Sequence, residues 1–294
     1  MLSYVFPLFP VMLPVLLCAM VGVIWVRTAQ PYNQEFVRRM VMWISAPALV
    51  LSTLVEVDIG IDRLQQIVLA TLVMLAFSVV IAMLLCLVAG WSLRDFVVPL
   101  TIGNTGNMGM PVCLFAFGQE GLALAVGLFL ISMGCHFSIG IAVLNGRAAV
   151  KAVCSSPVVY AGVLAAIIIA YELSVPKTIT NTLEILGGMA IPLMLVTLGV
   201  SLGGLRVAQT GEAVMLGVAR MVVGIGAALA TVWCLELEGT IAKVVLVQGA
   251  MPAAIFNYLL AVQYQRSPQA VAGMVVSSTL MSFVTVPVML LFIA

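Results

Sequence analysis

Long apolar runs, most of them about 20 residues and nearly free of charge, follow one another from end to end of this chain. Soluble domains carry about 25% charged residues; here Asp, Glu, Lys and Arg make up 8% and hydrophobic residues 64%. A chain so poor in charge cannot cover a surface against water, so its outer face must meet hydrocarbon. A helix of about 20 residues spans roughly 30 Å of bilayer. Barrel strands would alternate apolar and polar residues over about ten positions, and these runs do not alternate. The expected fold class is all-α integral membrane, with ten transmembrane helices.

Charged and turn-rich clusters place the spans near 4–26, 40–55, 64–90, 96–117, 122–144, 155–171, 182–202, 213–234, 241–262 and 270–293. Loops after odd-numbered helices hold Arg27, Arg38, Arg39, Arg94, Arg147, Lys151, Arg206 and Arg266, against Arg63, Lys177 and Lys243 after even-numbered ones. Arg220 is expected to snorkel toward the first side. Basic loops stay in the cytoplasm, so a multi-pass protein of the cytoplasmic (inner) membrane is expected, with both termini outside. The first run lacks a basic leader and a small-residue cleavage site, and is expected to be retained. The acids Glu56, Asp58, Asp62, Glu236 and Glu238 fall in loops and read as solvated.

Several function classes drop out. A net charge of +1 with no basic block offers nothing to nucleic acid. The six cysteines lack CxxC spacing and read as small hydrophobes. The single histidine cannot hold haem from both sides, and HExxH, GxSxG and a mid-membrane lysine are all missing, so neither a cofactor, a metal nor an enzyme is expected.

The two halves resemble each other. Helix two contains Ala46-Pro47-Ala48-Leu49-Val50-Leu51-Ser52 and helix seven Ile191-Pro192-Leu193-Met194-Leu195-Val196-Thr197, with proline and hydroxyl five apart in both. Helix four contains Met108-Gly109-Met110-Pro111 and helix nine Gly249-Ala250-Met251-Pro252. The offsets are about 145 and about 141 positions, roughly half the chain. Five helices is an odd number, so a second copy enters the membrane upside down, as in many secondary transporters. Residues 1–150 and 151–294 are the expected inverted repeats.

The stretch Gly103-Asn104-Thr105-Gly106-Asn107-Met108-Gly109-Met110-Pro111 puts three glycines, two asparagines and a proline where a span should be apolar. Proline removes a backbone donor, and glycine is about 1 kcal/mol worse than alanine in a helix. Unsatisfied backbone survives at membrane depth only inside protein or beside a wet cavity. Two half-helices with an unwound middle are expected, the breaks marked by Gly103, Gly106, Gly109 and Pro111. Helix nine repeats the plan with Gly249 and Pro252. Half-helix N-termini present free N–H groups and about half a positive charge each. Two of them converging make an anion site without a formal charge, to which Asn104, Asn107, Gln248 and Asn257 add neutral donors. The alternative is a proline-kinked packing pair, with the asparagines bonding across the interface. Ser132 and His136 lie four apart on one face of helix five; His136 is either a bonded packing residue or a lining residue of the cavity. Gly199 and Gly203 form a GxxxG at a helix end.

At the two breaks the sequence resembles the auxin efflux carrier family in its short prokaryotic form. The pattern Asn-Thr-x-x-Met-Gly-x-Pro is matched by Asn104, Thr105, Met108, Gly109 and Pro111, and Gln-Gly-x-x-Pro with a later tyrosine by Gln248, Gly249, Pro252 and Tyr264. Ser277-Ser278-Thr279-Leu280 with Pro287 resembles the bacterial branch. The resemblance implies crossing broken helices four and nine, and a scaffold of helices one, two, six and seven that often pairs as a homodimer. It also implies a transport unit that slides past that scaffold in elevator fashion. Small carboxylates such as malate or malonate are the implied substrates, with Asn104 and Asn107 and the turns at Pro111 and Pro252 at the substrate site. Only 145–156 joins the halves, in place of the long plant loop, and the plant charged pair of helix three has no counterpart between Thr71 and Gly90.

No Asp or Glu lies inside helices four, five or nine to couple a proton. The expected function is a carrier of small organic anions in the lipid bilayer, driven by the membrane potential or the substrate gradient. A sodium-coupled symporter of the bile-acid type and a non-transporting sensor or assembly subunit are the alternatives.

Overall fold

A computed structural model describes residues 9–57, 60–140, 156–205 and 210–293. Asp58, Asn145, Gly146, Arg147, Lys151, Cys154, Arg206 and the expected boundary at 150/151 lie outside the described residues. The described chain is helical, and its one β-type contact is an isolated antiparallel bridge between Gly103 and Ala253. Among the described residues six helices are long and apolar enough to cross a membrane, the longest of them Thr105–Cys135; Val11–Arg27, Pro157–Ala170 and Gly239–Gly249 are shorter apolar helices.

The helices run in order as α1 (Phe9–Arg27), α2 (Gln34–Met40), α3 (Ala46–Glu56), α4 (Ile61–Ala89), α5 (Leu93–Thr101), α6 (Met110–Cys135) and α7 (Pro157–Ala170). They continue as α8 (Lys177–Gly188), α9 (Ala190–Gly204), α10 (Thr210–Cys234), α11 (Gly239–Gly249), α12 (Ile255–Gln263) and α13 (Pro268–Ile293). A π-helical turn, Val41–Ser45, joins α2 to α3, so the second span starts at Gln34, earlier than its apolar residues suggest. The glutamate of the short amphipathic α2, Glu35, pairs with Arg38 and Arg39 and extends the helix beyond the apolar run. Helix α6 is interrupted at Gly118, whose φ of 67° only glycine adopts without strain, where the apolar runs of helices four and five part.

Helix α4 shows how sidedness arises when every face is apolar. Its inward stripe is Ile67, Ala70, Thr71, Met74, Ser78, Ala82 and Cys86, mostly small residues at three- and four-residue spacing. Leu69, Leu72, Val80, Leu84 and Leu87 point outward and stay exposed. Lipid is as apolar as leucine, so size rather than hydrophobicity decides which face packs. The helix ends at Gly90 in the left-handed conformation, φ 69°, which lets its N–H close on the carbonyls of Cys86 and Leu87.

Two packing groups emerge. Helix α1 lies along α9, and α3 against α7 and α8; these are helices one, two, six and seven of the sequence reading. In the second group α10 packs on α13 and α4, with α5, α11 and α12 attached. The α1–α9 contact is backbone to backbone. A Cβ on Gly199 would strike the carbonyl of Ala19, and one on Gly22 the carbonyl of Val196. The Gly199/Gly203 pair is therefore used within the chain.

Candidate functional site

Helix α5 ends at Thr101 because Ile102 turns extended (φ −88°, ψ 110°), and the helix resumes only at the π-helical turn Thr105–Gly109. Helix α11 ends at Gly249, and α12 starts at Ile255 after extended Ala254. The two unwound segments cross and satisfy each other: Asn104 N–H donates to the carbonyl of Pro252 at 2.7 Å and Ala254 N–H to that of Ile102 at 3.3 Å. Ser278 Oγ accepts from Ala253 N–H at 3.1 Å, which gives the Ser277-Ser278-Thr279 stretch a bracing role. Backbone freed by the breaks thus finds partners inside protein.

The resumed half-helices start at Asn104 and Ala254, and neither start has a side-chain cap. Both starts line one cleft. Its polar lining is Asn104, Thr105, Asn107, Ser132 and His136, and its apolar walls include Met42, Phe129 and Phe256. Asn104, Ser132 and His136 are each 4% exposed. Asn104 Nδ2 is a buried donor without a hydrogen-bond partner, and Ser132 Oγ is likewise unpartnered. Such groups cost about 1–3 kcal/mol each when unsatisfied, a cost a polar ligand removes. Through Met42, Asn107 and Phe256 the cleft continues into a groove flanked by Gln34, Arg38, Thr197 and Ser201.

Four residues singled out in the sequence, Asn104, Asn107, Ser132 and His136, therefore share the cleft. The other two lie elsewhere. Asn257 Nδ2 donates to the carbonyl of Ile102 at 2.9 Å, so it ties the second half-helix to the first break. Gln248 Nε2 lies 3.8 Å from Cys113 Sγ, and a Cβ on Gly109 would collide with its amide. Both are braces between the broken helices. Of the marked break residues, Gly103 is in the bridge, Gly106 packs on Phe129, Pro111 lies in the first turn of α6, and Pro252 supplies a carbonyl. Met42, Thr105, Phe129 and Phe256 also line the cleft; of these only Thr105 stood out in the sequence, as a neighbour of Asn104.

Arg220 corrects the expectation of a snorkelling side chain. It is 2% exposed, in the middle of α10, with Nη1 donating to the carbonyl of Leu100 at 2.8 Å and Nη2 to that of Met251 at 3.0 Å. These carbonyls lie at the C-terminal ends of the two half-helices α5 and α11, where the helix dipoles are negative and carbonyls lack partners. Bonding them outweighs the reach to the interface. The crossover therefore carries a formal positive charge, and among the described residues no carboxylate is paired with it.

A family model described as a membrane transport protein matches residues 141–290, a little over half of the chain. An uncharacterized transporter of Methanothermobacter thermautotrophicus is 27% identical over 267 residues, 85% of this chain and 85% of its own length. An uncharacterized transporter of Methanocaldococcus jannaschii is 26% identical over 196 residues, and the match spans 63% of each chain, under two thirds of that relative's length.

Proposed function

Because the chain belongs to the membrane transport protein family, that of the auxin efflux carriers, we propose that this multi-pass membrane transporter is a secondary carrier of small organic anions. The observation that supports this most is the cleft between two uncapped half-helix N-termini, with the unpartnered Asn104 donor inside it. The two half-helix N-termini make the cleft electropositive, and a carboxylate of the malate or malonate kind is the complementary ligand. Asn104 and Ser132 orient it, and Asn107 meets it first on the way in from the groove.

In this reading the chain is two inverted five-helix repeats, about 1–150 and 151–294, making ten spans. The crossing of one break from each half, and the packing of α1, α3, α7, α8 and α9 apart from α10 and α13, support it. The first group is the scaffold, available to a second copy, and the second group slides against it. The groove opens beside Arg38, on the side that the basic loops assign to the cytoplasm. This state loads from inside. A potential of 100 mV, negative inside, drives a monovalent anion out by about 2.3 kcal/mol, or about fifty-fold.

Proteoliposomes tested with labelled small carboxylates under an imposed potential check the substrate class. Saturable, potential-dependent flux is expected in the wild type, with a loss of about 10-fold to 100-fold in Asn104→Ala, the effect of one charge-assisted hydrogen bond. Flux that ignores the potential, or that Asn104→Ala leaves intact, would remove the anion reading or its site. Orientation has its own test. Cys234 is exposed, next to the exposed acids Glu236 and Glu238. In a variant keeping only this cysteine, an impermeant maleimide is expected to label intact cells; labelling only after lysis would invert the topology.

A further inference from the structure

We infer that the junction of the two broken helices is a site for a monovalent cation, which the chain fills permanently with its own guanidinium, Arg220. Helix C-termini interrupted inside a membrane attract cations, because their last carbonyls have no intrahelical partner and carry the negative end of the dipole. Here two such ends, α5 at Leu100 and α11 with Met251 just beyond it, converge on one group.

The surroundings are those of an oxygen-lined cation site. A small cavity beside Arg220 is lined by Ser78, Thr101, Ser132 and Gln248. Thr101 Oγ1, Ser132 Oγ and Gln248 Oε1 are buried and have no hydrogen-bond partner. The guanidinium is bonded by the two carbonyls, and these three free oxygens line the cavity beside it, an oxygen-rich lining of the kind that suits alkali cations. Each residue of the set belongs to a different element from Arg220, so the fold supplies the oxygens independently of the charge that meets them.

Space for the guanidinium is cut from the backbone. A Cβ on Gly103 would fall on Nη2, and one on Gly224 would lie 2.8 Å from Nη1 and also strike the carbonyl of Gly249. One helix and one break have given up side chains around this group.

A tethered cation cannot be exchanged between the two sides of a membrane. It neutralises the helix ends in every state of the protein and carries no ion gradient into the cycle. The consequence for transport, that flux needs no sodium, rests on the carrier reading above; the site itself does not.

The test uses purified full-length protein in detergent, with thermal unfolding followed at constant ionic strength in choline chloride. Removing the side chain in Arg220→Ala is expected to lower Tm and to open the site. Millimolar guanidinium chloride should then raise Tm by roughly 3 °C, while the neutral isostere urea at the same concentration should not. Wild type should respond to neither, nor to replacement of choline by sodium or potassium. A folded Arg220→Ala that ignores guanidinium, sodium and potassium alike would overturn the inference. So would a sodium-specific rise in the wild-type Tm, a result that does not depend on the variant folding. Arg220→Lys, which keeps a charge of shorter reach, is expected to lie between wild type and alanine. A value below alanine would count against a cation site. Wild-type protein inactive in liposomes would touch the carrier reading and leave these Tm results standing.

Discussion

Gly199→Leu is expected to leave no folded protein to purify. The α1–α9 contact has no slack, since the positions a Cβ would take at Gly199 and Gly22 are already held by backbone of the facing helix. A flexible side chain can swing away from an intruder; a carbonyl in a helix cannot. The helices would have to separate along their length. In lipid no hydrophobic gain holds helices together, and close van der Waals packing does most of that work. Overpacking of a tight contact costs about 1–3 kcal/mol where side chains can adjust, so a backbone collision here should exceed about 3 kcal/mol. That is a large part of the usual 5–15 kcal/mol of stability. Size-exclusion profiles and Tm of the solubilised protein check this, with Gly204→Leu as the control, because a Cβ at Gly204 meets nothing within 4 Å. Equal monodisperse yields from both variants would mean that α1 and α9 do not pack this way.

Gly103→Ala is expected to abolish transport while sparing the fold. The added methyl lands on Nη2 of Arg220 and lies 3.4 Å from the carbonyl of Met251 that Nη2 bonds. The guanidinium must leave one helix end, a loss of about 1.5–3 kcal/mol for a charged hydrogen bond. The bridge to Ala253 and the start of the half-helix at Asn104 shift with it. Misplacement by about 1 Å at a reacting or binding centre can cost about 10²-fold, and a fall of that order in liposome flux is the expected reading, with Tm lowered by only a few degrees. Gly134→Ala, where a Cβ meets nothing, should transport normally. Wild-type flux in Gly103→Ala would show that the crossover is not the working part.

The breaks were legible in the sequence because they defy their surroundings: Gly103 to Pro111 and Gly249 to Pro252 are polar or helix-breaking residues in apolar spans. The shared face of Ser132 and His136 followed from helical spacing, and both line the cleft. Arg220 was misread for a physical reason. Its partners are backbone carbonyls, 120 and 31 positions away, and a carbonyl leaves no mark in a sequence. The available signal was its position in the middle of a span, with Gly217 and Gly224 on either side. The contacts of Gln248 and Asn257 left no mark for the same cause, since a sulfur and a backbone carbonyl face their amides. The apolar walls Met42 and Phe129 look like any other apolar residue of a span, and only tertiary packing sets them apart.

The hydrogen bonds between the two unwound segments also set a timetable for making the protein. Ile102 and Asn104 have their bonding partners in Pro252 and Ala254, which the ribosome adds about 150 residues later, a delay of roughly 8–30 s at the usual rates of synthesis. Through that interval the first break must keep its polar backbone in contact with water or with the insertion machinery. The nascent first half is thus an obligate client of that machinery until the second half arrives.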